Sequence, residues 1–151
     1  MSITSQSADP LALEQQVCYA LSIAARGVVA AYKPLLAPLG LTHPQYLVMV
    51  ALWQHGPLHV KDLGTLLSLN SGTLSPLLKR LDTMGLVSRR RSVSDERQVT
   101  VTLTDSGAQL RDEAVKIHDE VVRRLGLEPD DIENLQAVLR RVNAAASATS
   151  E

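Results

Sequence analysis

Two groups of residues in this 151-residue chain are equipped for chemistry. The larger is a run of hydroxyls and cations: Ser71, Thr73, Ser75, Pro76, Lys79 and Arg80, then Arg89, Arg90 and Arg91, then Asp95 and Arg97. Six cations between Lys79 and Arg97 face three acids, Asp82, Asp95 and Glu96. Guanidinium and ammonium groups at this density bind phosphate, and short hydroxyls beside them can reach phosphates or base edges. The smaller group is one thiol, Cys18, which could be oxidised by a peroxide. On composition alone, a lone cysteine on a helix is a small buried apolar residue.

Other chemistries find no footing. A single cysteine excludes an intramolecular disulfide and any multi-cysteine zinc site. The four histidines are scattered, without metal-ligand spacing, and there is no glycine-rich nucleotide loop or nucleophile elbow. The expectation is no enzyme, no metal and no cofactor. Formal net charge is −1, so a basic patch on a near-neutral protein must act locally. The N-terminal segment is polar, and the longest continuous apolar run, residues 47–53, is too short to cross a bilayer. A soluble, cytoplasmic protein without a membrane partner is expected.

The elements that must position these groups are mostly helical, in one domain spanning residues 1–151. Asp9-Pro10 looks like a helix start, with Cys18 more than two turns inside, and Pro34, Pro38 and Gly40 end that helix. A second helix is predicted from Thr42 or His43 to Gln54, stopped by His55-Gly56-Pro57. A third covers residues 60–69. A fourth covers residues 71–84, with Leu74, Leu77, Leu78, Leu81 and Met84 on one face and the hydroxyls and cations on the other. Pro76 is awkward there, implying a later start or a kink. The period then drops to two: Val99, Val101 and Leu103 alternate with polar residues and pair with residues 86–91 across a loop at 92–96. A continuous fifth helix is predicted from Asp105 to about Leu125, and a sixth from Pro129, with frayed residues 144–151. Trp53 is expected in the core, and His55, His59 and His118 show no partner. Together these make a helix-turn-helix at 59–84, a wing at 86–104, and flanking helices at 10–38 and 105–146 with more apolar surface than the central module can cover. Dimerisation is the simplest cover for it.

The chain resembles the MarR family of winged helix-turn-helix regulators, and more closely its organic-hydroperoxide sensing branch, the OhrR repressors. The resemblance lies in QVCYAL at 16–21, AYKPLL at 31–36, LGLTHPQYLVM at 39–49, LNSGTLSPLLKRL at 69–81 and DERQV at 95–99, and spans about residues 14–107. It implies a mainly α fold with a β-hairpin wing. It also implies a homodimer through the long terminal helices and recognition of a palindromic double-stranded operator by two winged modules. Cys18 is implied to be the peroxide-reactive thiol. In that branch two tyrosines of the partner subunit hydrogen-bond the sulfur; Tyr32 matches one, and His43 stands where the other would be. An imidazole can offer a thiolate a hydrogen bond or a positive charge. Fourteen helical residues separate Cys18 from Tyr32, roughly 21 Å, so only a partner's Tyr32 could reach the sulfur.

With no second cysteine, a sulfenic acid at Cys18 would go on to a mixed disulfide with a low-molecular-weight thiol, or to overoxidation, unless Cys18 of the other subunit lay close. A rival keeps the fold and releases DNA on binding a small phenolic or amphipathic ligand, with Cys18 inert. A one-cysteine peroxidase and a winged helix used only for protein contacts are the other classes.

Overall fold

Seven α-helices and a three-stranded antiparallel sheet make up residues 9–95 and 97–149, the part of the chain described by the computed structural model. The polar residues 1–8, Glu96 of the wing loop and the tail at 150–151 carried sequence expectations and lie outside the described residues. The helices are α1 (Val17–Leu36), α2 (His43–His55), α3 (Val60–Leu67), α4 (Ser71–Thr83), α5 (Asp105–Gln109), α6 (Arg111–Leu125) and α7 (Pro129–Ala148). The strands are β1 (Leu58–His59), β2 (Val87–Arg91) and β3 (Val99–Leu103), in spatial order β1-β3-β2.

The central module is built around leucines from α2, α3 and α4. Leu52, Leu63, Leu74, Leu78 and Leu81 are buried with Met49, Val87 and Val101. Local signals start the helices where the sequence indicates. Thr42 caps α2 in a reciprocal capping box with Gln45, and Asn70 caps α4 by accepting the Thr73 N–H at 2.8 Å. Between α3 and α4 the chain turns through Ser68 in the left-handed region, φ 54°. Gly64 lets that turn close, since a Cβ there would stand 2.8 Å from the Leu69 carbonyl oxygen.

Several expectations are corrected. The first α-helix does not start at Pro10: Asp9 accepts the Leu11 N–H in a local turn, a short 3-10 turn covers Leu13–Gln15, and Gln16 is extended, so α1 begins at Val17. It runs through Pro34 to Leu36, ending in a second 3-10 turn at Ala37–Leu39. The later start proposed for the fourth helix is not found: α4 opens at Ser71 and contains Pro76. The Gly72 carbonyl that loses its helical donor belongs to an exposed residue, where water can serve it. The third helix ends at Leu67 rather than 69, and α7 continues to Ala148, through residues expected to fray. The wing gains a short third strand, with Leu58 opposite Val101 and His59 opposite Thr100.

The predicted fifth helix is two, α5 and α6, with a turn at Leu110. Here Trp53, half-buried, donates its indole N–H to the Gly107 carbonyl at 2.9 Å. Gly107 is buried so closely that a Cβ would overlap the Leu86 carbonyl oxygen. Gly107→Ala is expected to cost about 1–3 kcal/mol by forcing α5 off the wing base. A urea titration showing wild-type stability for this variant would contradict the close approach.

The terminal helices are poorly covered. Val17, Ile23 and Val29 of α1 and Leu135, Val138 and Val142 of α7 are exposed, and α7 has no buried residue. Residues Val17–Leu39 are long and apolar enough, at mean hydropathy 1.3, to cross a membrane by length and composition alone, a feature that continuous runs did not reveal. The C-terminal part of α1 nevertheless carries Tyr32 and Leu36 into the core, and the helix packs against α6.

Candidate nucleic-acid interface and thiol site

Leucine spacing decides which face α4 presents. With Leu74, Leu78 and Leu81 buried, Ser71, Thr73, Ser75, Pro76, Lys79 and Arg80 are all exposed on the opposite side. Pairing register decides the same for the wing. Arg89 stands opposite Val101 and Arg91 opposite Val99, on the face carrying buried Val87; Arg90 stands opposite Thr100 on the other face. Arg89 bonds Asp82 of α4 at 3.0 Å, which ties the wing to the recognition helix. The outer face carries a short polar row, with His59 Nδ1 3.2 Å from Thr100 Oγ1. His118 also has a neighbour, Asp119 at 3.2 Å, so the expectation of partnerless histidines fails at both positions.

At the wing tip Asp95 braces Arg97 through the main chain. Its carboxylate accepts the Arg97 N–H at 3.0 Å, while Gln98 N–H bonds the Asp95 carbonyl at 3.0 Å. That leaves the Arg97 guanidinium exposed and in no ion pair among the described residues. Wing and helix-turn-helix enclose a cleft of about 1040 Å³. Ser71, Ser75, Arg89, Asp95 and Arg97 line it; Thr73, Pro76, Lys79, Arg80 and Arg90 do not. Sequence reasoning missed Lys61 and Thr65 of α3, which share the cleft wall and were legible only as the polar side of a short amphipathic helix.

Cys18 is exposed, not a buried apolar residue, and its sulfur lies 3.9 Å from Ser22 Oγ. Because Gln16 breaks the chain's helical path, Cys18 is the second residue of α1 rather than two turns inside it. In the first turn, backbone N–H groups lack helical acceptors and negative charge is favoured. Tyr32 lies on the same unbroken helix, roughly 21 Å away along its axis. There it joins a triangle of rings: Tyr32–His43 and Tyr32–Tyr46 centroids are both 5.1 Å apart, and His43–Tyr46 are 5.9 Å apart. Tyr46, a member that the sequence did not reveal, is buried, and burial together with the neighbouring Tyr32 raises its phenol well above the ordinary value.

Burial lowers His43 below its ordinary value, which leaves a neutral imidazole at pH 7. The unfolded chain takes this proton first. Stability is therefore unaffected by His43 above about pH 6.5 and falls as pH drops through that value toward the lower folded one. Between about pH 7.5 and pH 5.5, His43→Tyr is expected to lose less urea resistance than wild type. Parallel losses would contradict a disfavoured imidazolium.

A second, smaller cavity of about 290 Å³ lies between α2 and α6, walled by Tyr46, Val50 and Trp53 with Arg111 and His118 at its rim.

Comparison with known proteins places this geometry. A family profile described as the transcriptional regulator SarA/Rot matches residues 30–114. The organic hydroperoxide resistance transcriptional regulator of Bacillus subtilis (strain 168) is 42% identical over 131 residues, covering 87% of this chain and 89% of that protein. Reduced AbfR bound to DNA, a Staphylococcus epidermidis protein, superposes with TM-score 0.79 at 32% identity, covering 92% of this chain and 95% of that one. AbfR has also been solved in a disulfide-formed state. BpsR of Bordetella bronchiseptica, whose DNA binding is regulated by 6-hydroxynicotinic acid, superposes with TM-score 0.78 at 26% identity, covering 89% of this chain and 98% of that one. With the exposed recognition face, the basic wing and these relatives together, the chain belongs to the winged-helix transcriptional regulators of the MarR/SarA type, a DNA-binding regulator and not an enzyme.

Proposed function

We propose that the protein is a homodimeric, cytoplasmic repressor that holds a palindromic operator while Cys18 is reduced and releases it when an organic hydroperoxide oxidises that thiol. The observation that carries this reading is the placement of Cys18. It sits exposed in the first turn of an apolar helix that one protomer leaves largely uncovered, with the Tyr32–His43–Tyr46 ring cluster toward the other end. Antiparallel or crossed pairing of two such helices brings each sulfur to the partner's Tyr32 and His43. The similarity to the B. subtilis organic hydroperoxide resistance regulator supports organic hydroperoxide as the class of signal.

The Cys18 thiolate attacks one peroxide oxygen, the O–O bond breaks, and the alkoxide leaves as an alcohol after taking a proton. Cys18 becomes a sulfenic acid. A low-molecular-weight thiol then condenses with it, releasing water and leaving a mixed disulfide. The added bulk lies at the proposed dimer seam, where a shift of α1 changes the spacing of the two recognition helices. On DNA, Ser71, Thr73, Ser75 and Pro76 approach base edges, Lys79, Arg80, Arg89 and Arg90 hold phosphates, and Arg97, braced by Asp95, enters the minor groove.

The dimer has its own test. Leu135 is half exposed on a helix with no buried residue, so Leu135→Glu places a charge in the proposed seam. Sedimentation is expected to show a mostly monomeric variant with operator affinity at least tenfold lower, because each half-site then binds alone. A dimer of wild-type strength would remove α7 from the interface.

The smaller cavity supports a second reading, in which an aromatic carboxylate lies between Tyr46 and Trp53 and pairs with Arg111. Release of DNA by such a ligand, together with indifference to cumene hydroperoxide, would select this reading and leave Cys18 inert.

A further inference from the structure

Ser92 and Val93 of the wing have no part in the DNA contacts proposed above. β2 is an edge strand whose last three residues are Arg89, Arg90 and Arg91, and the chain leaves the sheet at Ser92, followed by Val93. Val93 is fully exposed at 106% relative accessibility, so the hairpin projects an apolar side chain into solvent next to a hydroxyl. Ser92 Oγ lies 2.9 Å from Ser94 Oγ, and the Ser94 N–H points to it at 3.3 Å. We propose that Ser92 is a phosphoacceptor for a basophilic serine kinase, and that its phosphorylation weakens operator binding.

Basophilic kinases select guanidinium groups two and three residues before the acceptor and an apolar side chain just after it. Arg90, Arg89 and Val93 occupy those places. Such an enzyme takes its substrate extended, and β2 is already extended with one edge unpaired. Two restraints must yield. One is the Arg89–Asp82 pair, which is exposed and therefore weak. The other is the Ser92 N–H bond to the Gln98 carbonyl at 2.7 Å, in a hairpin tip of the kind that opens readily.

The step balances simply. Ser92 Oγ attacks the γ-phosphorus of ATP, the bond to the β-phosphate oxygen breaks, ADP leaves, and the hydroxyl proton is lost. The product carries nearly two negative charges at the tip that, on the reading proposed above, enters the minor groove. It repels DNA phosphates and offers Arg91 and Arg97 a competing anion. This inference rests on that reading for its effect, but not for the acceptor site.

The test incubates the full-length protein with ATP and the catalytic subunit of the cyclic-AMP-dependent kinase, maps the product by peptide mass, and titrates operator DNA. Phosphate is expected on Ser92, none on Ser92→Ala, and less on Arg90→Ala. The phosphorylated protein is expected to bind about tenfold or more weakly at low salt, with Ser92→Glu shifted the same way. Phosphate found only at Ser94 or elsewhere, no incorporation, or unchanged affinity after stoichiometric phosphorylation of Ser92 overturns the inference. If unmodified protein does not bind operator DNA, it is the DNA reading that fails, and peptide mapping still decides the acceptor.

Discussion

Arg97→Ala is expected to weaken operator binding by about tenfold to a hundredfold, the 1–3 kcal/mol that a single guanidinium contact to DNA carries, with little change in stability. The Arg97 side chain is exposed, forms no ion pair among the described residues, and supports nothing in the core. What the tip needs structurally comes from the main chain: Asp95 accepts the Arg97 N–H and Gln98 returns a bond to Asp95. Alanine keeps both. The substitution therefore separates binding from folding, which few positions in the module allow. Lys79→Ala is a useful companion, since a phosphate contact should lower affinity for all sequences and flatten the salt dependence. Anisotropy at several salt concentrations, with thermal unfolding as a control, checks both. Wild-type affinity for Arg97→Ala would show that the wing tip stays off the DNA.

Cys18→Ser is expected to bind the operator as wild type does and to ignore organic hydroperoxide altogether. Serine is close in size, and the site is exposed in the protomer, so neither packing nor the α1 start should change. The hydroxyl cannot supply a nucleophilic sulfur, and the chain holds no second cysteine to substitute for it. Loss of response should be complete rather than graded. Peroxide-driven release of DNA by Cys18→Ser would place the sensing chemistry elsewhere and favour the cavity between α2 and α6. The ring cluster predicts a finer gradation. Tyr32→Phe leaves the core volume intact and removes one hydroxyl, so slower oxidation with unchanged DNA affinity is its expected signature.

The helix-turn-helix was legible because its leucines repeat at helical spacing and Asn70 is a strong cap, so burial of Leu74, Leu78 and Leu81 also settled which side of α4 is exposed. The wing was legible from a change of period, and the register sets the three arginines on alternate faces. What stayed hidden depends on contacts distant in sequence. A two-residue strand has no period to detect, and Leu58–His59 becomes one only because β3 lies beside it. Nothing local divides α5 from α6; the turn at Leu110 accompanies the Trp53 bond to Gly107 and the close passage of Leu86. The start of α1 was misplaced because Asp9-Pro10 carries a genuine cap signal, while the extended Gln16 carries none. That displacement matters most for the proposed function, since it moves Cys18 into the first turn. Tyr46 went unnoticed because ring clusters form between helices, not along one.

The most direct test of the central claim is an anisotropy titration of promoter DNA from the protein's own locus, before and after stoichiometric cumene hydroperoxide, with the intact mass of the oxidised protein. The expected result is tight binding by the reduced protein and its loss as Cys18 gains an oxygen or a thiol adduct. Binding that persists while Cys18 is fully oxidised would contradict the account.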